Sequence, residues 1–248
     1  VALDSGEVVL PRLVLALGRK RVVVGGLHLR IVDGEPVEIE NEGFRLFGEY
    51  FDFGQKKAVI ITPGRCESLM YSWLRHVRGC QIVQTNWKVS ERWSLLHEEE
   101  LEKILNRVDS ALVEKHGIKV FKNRVSLFQF LRQTECDLIG VNLEVRNVYA
   151  VEVAFHEGGL NYNGDSNTIQ KVVAKLVRNA LCVYGYLDER NVEAVFASPK
   201  VSERLLIGEH GLIQCILDVQ EVFNSLHYNR IHFNLLVNDE FRNQVLNQ

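Results

Sequence analysis

The sequence predicts an α/β protein with a mixed sheet, preceded by a β-rich N-terminal region. Three observations carry this expectation. Up to about residue 62 apolar and polar side chains alternate with the period of two that strands require. From Lys57 the texture becomes strand, helix, strand. Two later segments, 137–143 and 148–155, are apolar on both faces, as expected of central strands covered on both sides.

In chain order, Arg21–Val24 and the run from Leu27 to Val32 read as strands, and Asp33-Gly34 supplies a hairpin turn before the alternating run that begins at Pro36. A further short strand is expected at 44–47. Ala58 to Thr62 reads as a strand, Pro63-Gly64 as a turn, Glu67 to Val77 as a helix, and Gln81 to Thr85 as the next strand. The connector Asn86-Trp-Lys-Val-Ser then sets a domain boundary, giving a β-rich region with a βαβ segment over 1–88 and a second domain over 89–248. Leu101, Ile104, Leu105, Val108, Ala111 and Leu112 recur at helical spacing behind Glu98, Glu99 and Glu100, and Gly117 stops that helix. A short helix over 126–132, the two apolar strands, a glycine-containing loop over 158–164, a helix over 166–186, a strand over 192–197, a helix over 203–226 and a strand over 231–237 complete the pattern.

The composition is that of an ordinary globular chain, with 46% hydrophobic and 25% charged residues among 248. A formal net charge of -3 excludes coating nucleic acid by bulk charge but leaves room for a local basic face. No uninterrupted apolar run is long enough to span a bilayer, and Asp4 and Glu7 make a secretory signal unexpected. Five cysteines with no C-x-x-C pair and no zinc-ligand spacing are expected to be reduced, buried thiols in a cytoplasmic protein.

The chemistry is expected where the two apolar strands form a hairpin, because each carries a carboxylate that is costly to bury without a partner. These are Asp137 and Glu152. With Asp137 opposite Ala154, Glu152 is its diagonal neighbour on the same face, about 7 to 8 Å away. A one-residue slip would separate them. Two converging carboxylates suit Mg²⁺ or Mn²⁺, which take one or two carboxylates and keep several waters. On the following helix Lys171, Lys175 and Arg178 recur at i, i+4 and i+7, a cationic edge suited to phosphates.

The order helix, Asp137, Glu152-x-Ala154, loop, basic helix, strand resembles the PD-(D/E)XK, or restriction endonuclease-like, nuclease superfamily over about residues 94–200. The resemblance implies an αβββαβ core, Asp137 and Glu152 on Mg²⁺ or Mn²⁺, and hydrolysis of DNA phosphodiester bonds, with RNA an open alternative. Ala154 stands where the family carries lysine, which implicates Lys171 first and Lys175 second. The family's further acidic residue on the leading helix would be Glu98 or Glu102, with Glu102 as a metal ligand. Arg178, Lys175 and His156 would contact nucleic acid, and a homodimer is compatible with this reading. The rival is a non-catalytic nucleic-acid-binding or protein-assembly module on the same fold.

Plainer roles stand beside these. Asp137 can be a turn carboxylate, Glu152 the partner of Lys171 or Arg178, and His156 a structural histidine. The loop over 158–164 lacks the order of a phosphate-binding loop and reads as a connector. Arg65 is a minor phosphate candidate, and Trp87 reads as core in preference to a base-stacking platform.

Overall fold

The computed structural model describes the backbone of six strands between residues 2 and 39 and of residues 63–65. It describes residues 66–121, 126–156, 159–188 and 191–247 with their side chains. The strands expected at 44–47 and 58–62, residues 157 and 158, and the side chain of Arg65 lie outside the described residues.

The chain divides into two compact units, Val1–Ile60 and Ile61–Gln248. In the first, β1 (Ala2–Leu3), β2 (Glu7–Leu10), β3 (Leu13–Ala16), β4 (Arg21–Val24), β5 (Leu27–Val32) and β6 (Glu35–Ile39) form an antiparallel meander in sequence order. Val32 pairs with Glu35, and the turn expected at Asp33-Gly34 lies outside the described residues.

The second unit is an α/β body around a five-stranded mixed sheet. Its elements are α1 (Pro63–His76), β7 (Ile82–Lys88), α2 (Glu98–His116), α3 (Leu127–Arg132), β8 (Glu135–Asn142) and β9 (Asn147–Val153). They continue with α4 (Asp165–Leu187), β10 (Val192–Ser198), α5 (Glu203–Leu206), α6 (Leu212–Ser225), β11 (Ile231–Val237) and α7 (Asn238–Phe241). The strand order is β11-β10-β9-β8-β7. Strands β7, β8 and β9 are antiparallel neighbours, while β10 runs parallel to both β9 and β11.

This pairing corrects the expected boundary at residue 88. Residues 63–88 belong to the second unit, because β7 is the outer strand of its sheet and pairs with β8 from Ile82↔Val141 to Lys88↔Glu135. The supposed connector at Asn86-Trp87-Lys88 is the end of that strand, and Trp87 is core, 5% exposed. The helix that leads the three antiparallel strands is therefore α1. Helices α2 and α3 stand between β7 and β8, so the element order is helix, three strands, helix, strand once they are set aside.

Helices cover both faces of the sheet. On one side the apolar stripe of α2 (Leu101, Ile104, Leu105, Val108, Leu112) joins α3, α4 and α6 over Ile139, Val148, Ala150, Ala194 and Phe196. On the other, Cys66, Met70, Trp73 and Leu74 of α1 pack with Leu138, Tyr149, Val151 and Val195, and Phe241 of α7 joins them. Local chemistry fixes several ends. Pro63 opens α1, where the missing N–H costs nothing. Ser126 and Gln129 form a capping box on α3, and Gly117 at φ 66° ends α2. The long helix expected over 203–226 is two helices, because Gly208 takes φ 119° between α5 and α6.

Candidate functional site

The register at the β8–β9 hairpin decides what the two carboxylates can do. Leu138 pairs with Val151, so the ladder extended by one residue sets Asp137 against Glu152, two residues from the expected Ala154. The two carboxylates lie at the end of this ladder, close enough for the charge of Asp137 to act on Glu152 and for Lys175 to act on both. Ladder pairing stops at Leu138. Beyond it, Oδ2 of Asp137 accepts the backbone N–H of Val153 at 2.6 Å. Asn86 of β7, in register with Asp137, takes φ 51° and breaks the alternation, so that both Trp87 and its partner Cys136 turn toward the helix-covered core.

Glu152 is 1% exposed and points toward α4. Lys175 Nζ donates to its Oε2, and Asn179 Nδ2 donates to its Oε1 at 3.2 Å. Lys175 and Asn179 are four residues apart, so both project from one face of α4. Burial pushes the Glu152 carboxyl above its ordinary range, and Lys175 and Asn179 pull it back only in part, while Asp137 adds to the rise. Asp137 is likewise raised by burial, against the Val153 N–H and Lys175. Burial alone would lower the Lys175 ammonium, but Glu152 and Asp137 outweigh it and hold the group above its ordinary value. The two carboxyls therefore bind a proton more readily than isolated carboxylates do.

Two residues outside the sequence expectation feel the charges of this cluster. Glu67, in the second turn of α1, has its carboxyl raised by burial and then by the charge of Asp137. It stands on the helix before β7, whereas the further acidic residue was expected on α2, at Glu98 or Glu102. Glu102 is exposed on α2, and the groups acting on Asp137 and Glu152 come from β8, β9 and α4. Tyr162 lies in the loop before α4, where Thr168 Oγ1 accepts its backbone N–H at 2.8 Å. Burial raises its phenol, and Lys175, Glu152 and Asp137 all act on it. A carboxylate one turn into the helix before β7 was the available signal for Glu67. Tyr162, in the loop before α4, carries no such signal.

The expected cationic edge divides into three environments. Lys171 is exposed, with Nζ 5.0 Å from the centre of the Tyr162 ring. Lys175 is spent on Glu152. Arg178 leans over Phe130, 5.7 Å from the ring centre, and burial lowers its guanidinium while Glu152 draws it back. His156 is exposed and meets the same Tyr162 ring edge-on at 5.5 Å. Asp137, Glu152 and Lys175 are thus brought together, Lys171 and His156 flank Tyr162 beside them, and Glu102 is left apart.

The donors available are hard carboxylate oxygens, the chemistry that suits Mg²⁺ or Mn²⁺. Among the described residues no group of three or more His, Cys, Asp or Glu side chains is arranged to hold a metal ion, so the fit rests on the Asp137 and Glu152 pair. Among the described residues, too, no helix is long and apolar enough to cross a membrane. No protein-family model matches the chain, and no curated protein or solved structure is significantly similar to it.

Proposed function

We propose that the second unit is a metal-dependent nuclease-like domain with a restriction endonuclease-like core, hydrolysing phosphodiester bonds of DNA. The observation that carries this reading is Lys175 joined to Glu152, with Asp137 of the other hairpin arm within reach of the charges of both. The helix, three strands, helix, strand order around them supports it. Lysine reaches the acidic pair from α4, which answers the absence of a lysine at position 154.

In this reading Asp137 and Glu152 hold Mg²⁺ or Mn²⁺, and Glu67 of α1 is a further carboxylate that feels the charge of Asp137. The ion, when bound, supplies a water of lowered pKa and neutralises charge on the phosphate. Asn179 and Lys175 hold the Glu152 carboxylate in one orientation. The Lys175 ammonium, kept protonated by its surroundings, is positioned to stabilise the charge that grows on the phosphate during attack. Lys171 and His156 beside Tyr162 are placed to meet flanking phosphates, and the tyrosine ring offers a surface on which a base can stack.

Incubation of the purified chain with labelled single- and double-stranded DNA and RNA, with Mg²⁺ or Mn²⁺, tests the proposal. Cleavage lost in an Asp137→Asn, Glu152→Gln variant of unchanged circular dichroism supports it. Equal cleavage by that variant sinks it. Retention of DNA without cleavage by the wild type would instead favour the non-catalytic binding module.

A further inference from the structure

We propose that His116 and His210 form a second, separate binding site for a divalent first-row transition metal, zinc in the first instance, with Asp218 orienting the inner histidine. His116 is the last residue of α2, and its side chain is 3% exposed. Its Nε2 lies 2.6 Å from Oδ2 of Asp218 on α6. Asp218 thus engages Nε2, and Nδ1 is the nitrogen left to face the second histidine. That Nδ1 is 3.2 Å from Nδ1 of His210, with the two rings at 89°.

The spacing fits an ion. With zinc–nitrogen distances of about 2.0 to 2.1 Å, this nitrogen separation subtends about 100 to 106° at the metal, close to the tetrahedral angle. Nitrogen donors select zinc, cobalt, nickel and copper over magnesium, which separates this site from the carboxylate pair. A histidine ligand held through its other nitrogen by a carboxylate is the usual supporting arrangement for such metals.

The support around Asp218 is itself built. Lys115 Nζ donates to its Oδ1 at 2.8 Å and reaches Glu221 at 3.3 Å, so each oxygen of Asp218 has its own partner. The Asp218 side chain is 8% exposed, so Lys115 and His116 hold it in one orientation against the inner histidine. His210 is exposed and gives an ion access from solvent, and its carbonyl oxygen accepts from the Cys215 thiol at 3.8 Å. The remaining coordination positions are open to water or to a substrate atom.

Titration of the full chain with Zn²⁺ by calorimetry, and with Co²⁺ by visible absorption, tests the site. The expected result is one ion bound per chain, tetrahedral cobalt bands, and affinity reduced at least tenfold by His210→Ala. That side chain is exposed, so the variant keeps its fold. The Asp137→Asn, Glu152→Gln variant is expected to bind Zn²⁺ as the wild type does, which keeps the outcome independent of the nuclease reading. Equal binding by wild type and His210→Ala would overturn the inference, and so would absence of binding, which would leave the contact a plain imidazole–imidazole hydrogen bond.

Discussion

Lys175 donates its ammonium to the Glu152 carboxylate, a residue 23 positions earlier and 1% exposed, while its own side chain remains 41% exposed. The pair joins the outer helix layer to the central strand β9. Removing the lysine leaves a buried carboxylate with Asn179 as its remaining named donor. Lys175→Met is therefore expected to destabilise the domain by about 2 to 3 kcal/mol in urea unfolding. That is less than the roughly 3 to 5 kcal/mol of a fully buried pair, because solvent reaches the lysine. Adding Glu152→Gln should recover part of the loss, and a double variant as unstable as the sum of the singles would count against the pairing.

Acidity should act oppositely on two parts of the domain. Asp137 and Glu152 are held above their ordinary values of 3.8 and 4.5. Such groups bind protons more tightly folded than unfolded, so their contribution is present at low pH and lost as pH rises through the folded-state values. Asp218 is held below 3.8, so its contribution is present above that value and lost on further acidification. The stability advantage of Asp137→Asn over wild type should then grow from about pH 4 to about pH 7, measured by urea unfolding across that range. Mg²⁺ or Mn²⁺ should raise Tm more near pH 7 than near pH 5, since ligands must be deprotonated.

Gly140 lies in the middle of β8 under α1. A Cβ there would stand 2.9 Å from Leu74 Cδ2 and 3.0 Å from Cys80 Sγ, both of them buried. Gly140→Ala is expected to cost about 1 to 3 kcal/mol through overpacking. Combining it with Leu74→Ala should cost less than the sum of the two changes, a coupling that a double-mutant cycle in urea would read directly.

All five cysteines are free and buried. Burial pushes Cys66 and Cys182 up to about 12 and Cys80 and Cys215 to about 11, and Cys136 rises in the same direction. Thiolate is the reactive form, so mass spectrometry should find almost no alkylation by iodoacetamide near pH 8 in the native protein and complete alkylation in denaturant. Rapid native labelling of any one cysteine would contradict its burial.

Much of this architecture is legible in the residues because it depends on local periodicity. The stripe from Leu101 to Leu112 predicts α2, and all five of its positions buried in the structure belong to that stripe. The two-faced apolarity of 148–155 reflects a strand covered by helices on both sides. The hairpin register is not legible, because strands apolar on both faces tolerate a one-residue slip without any change of pattern.

The α/β class, the course of the main helices and strands, and a carboxylate in each arm of the hairpin can be read from the residues alone, since backbone periods of 2 and 3.6 residues write them into the order of side chains. Only the tertiary structure decided that Lys175, not Lys171, meets Glu152, and that α1 supplies Glu67 while Glu102 stays outside. It alone brought His116 to His210 from 94 positions away. Those outcomes depend on how helices pack across a sheet, where a rotation of one turn exchanges one side chain for another without altering the pattern that formed the helix.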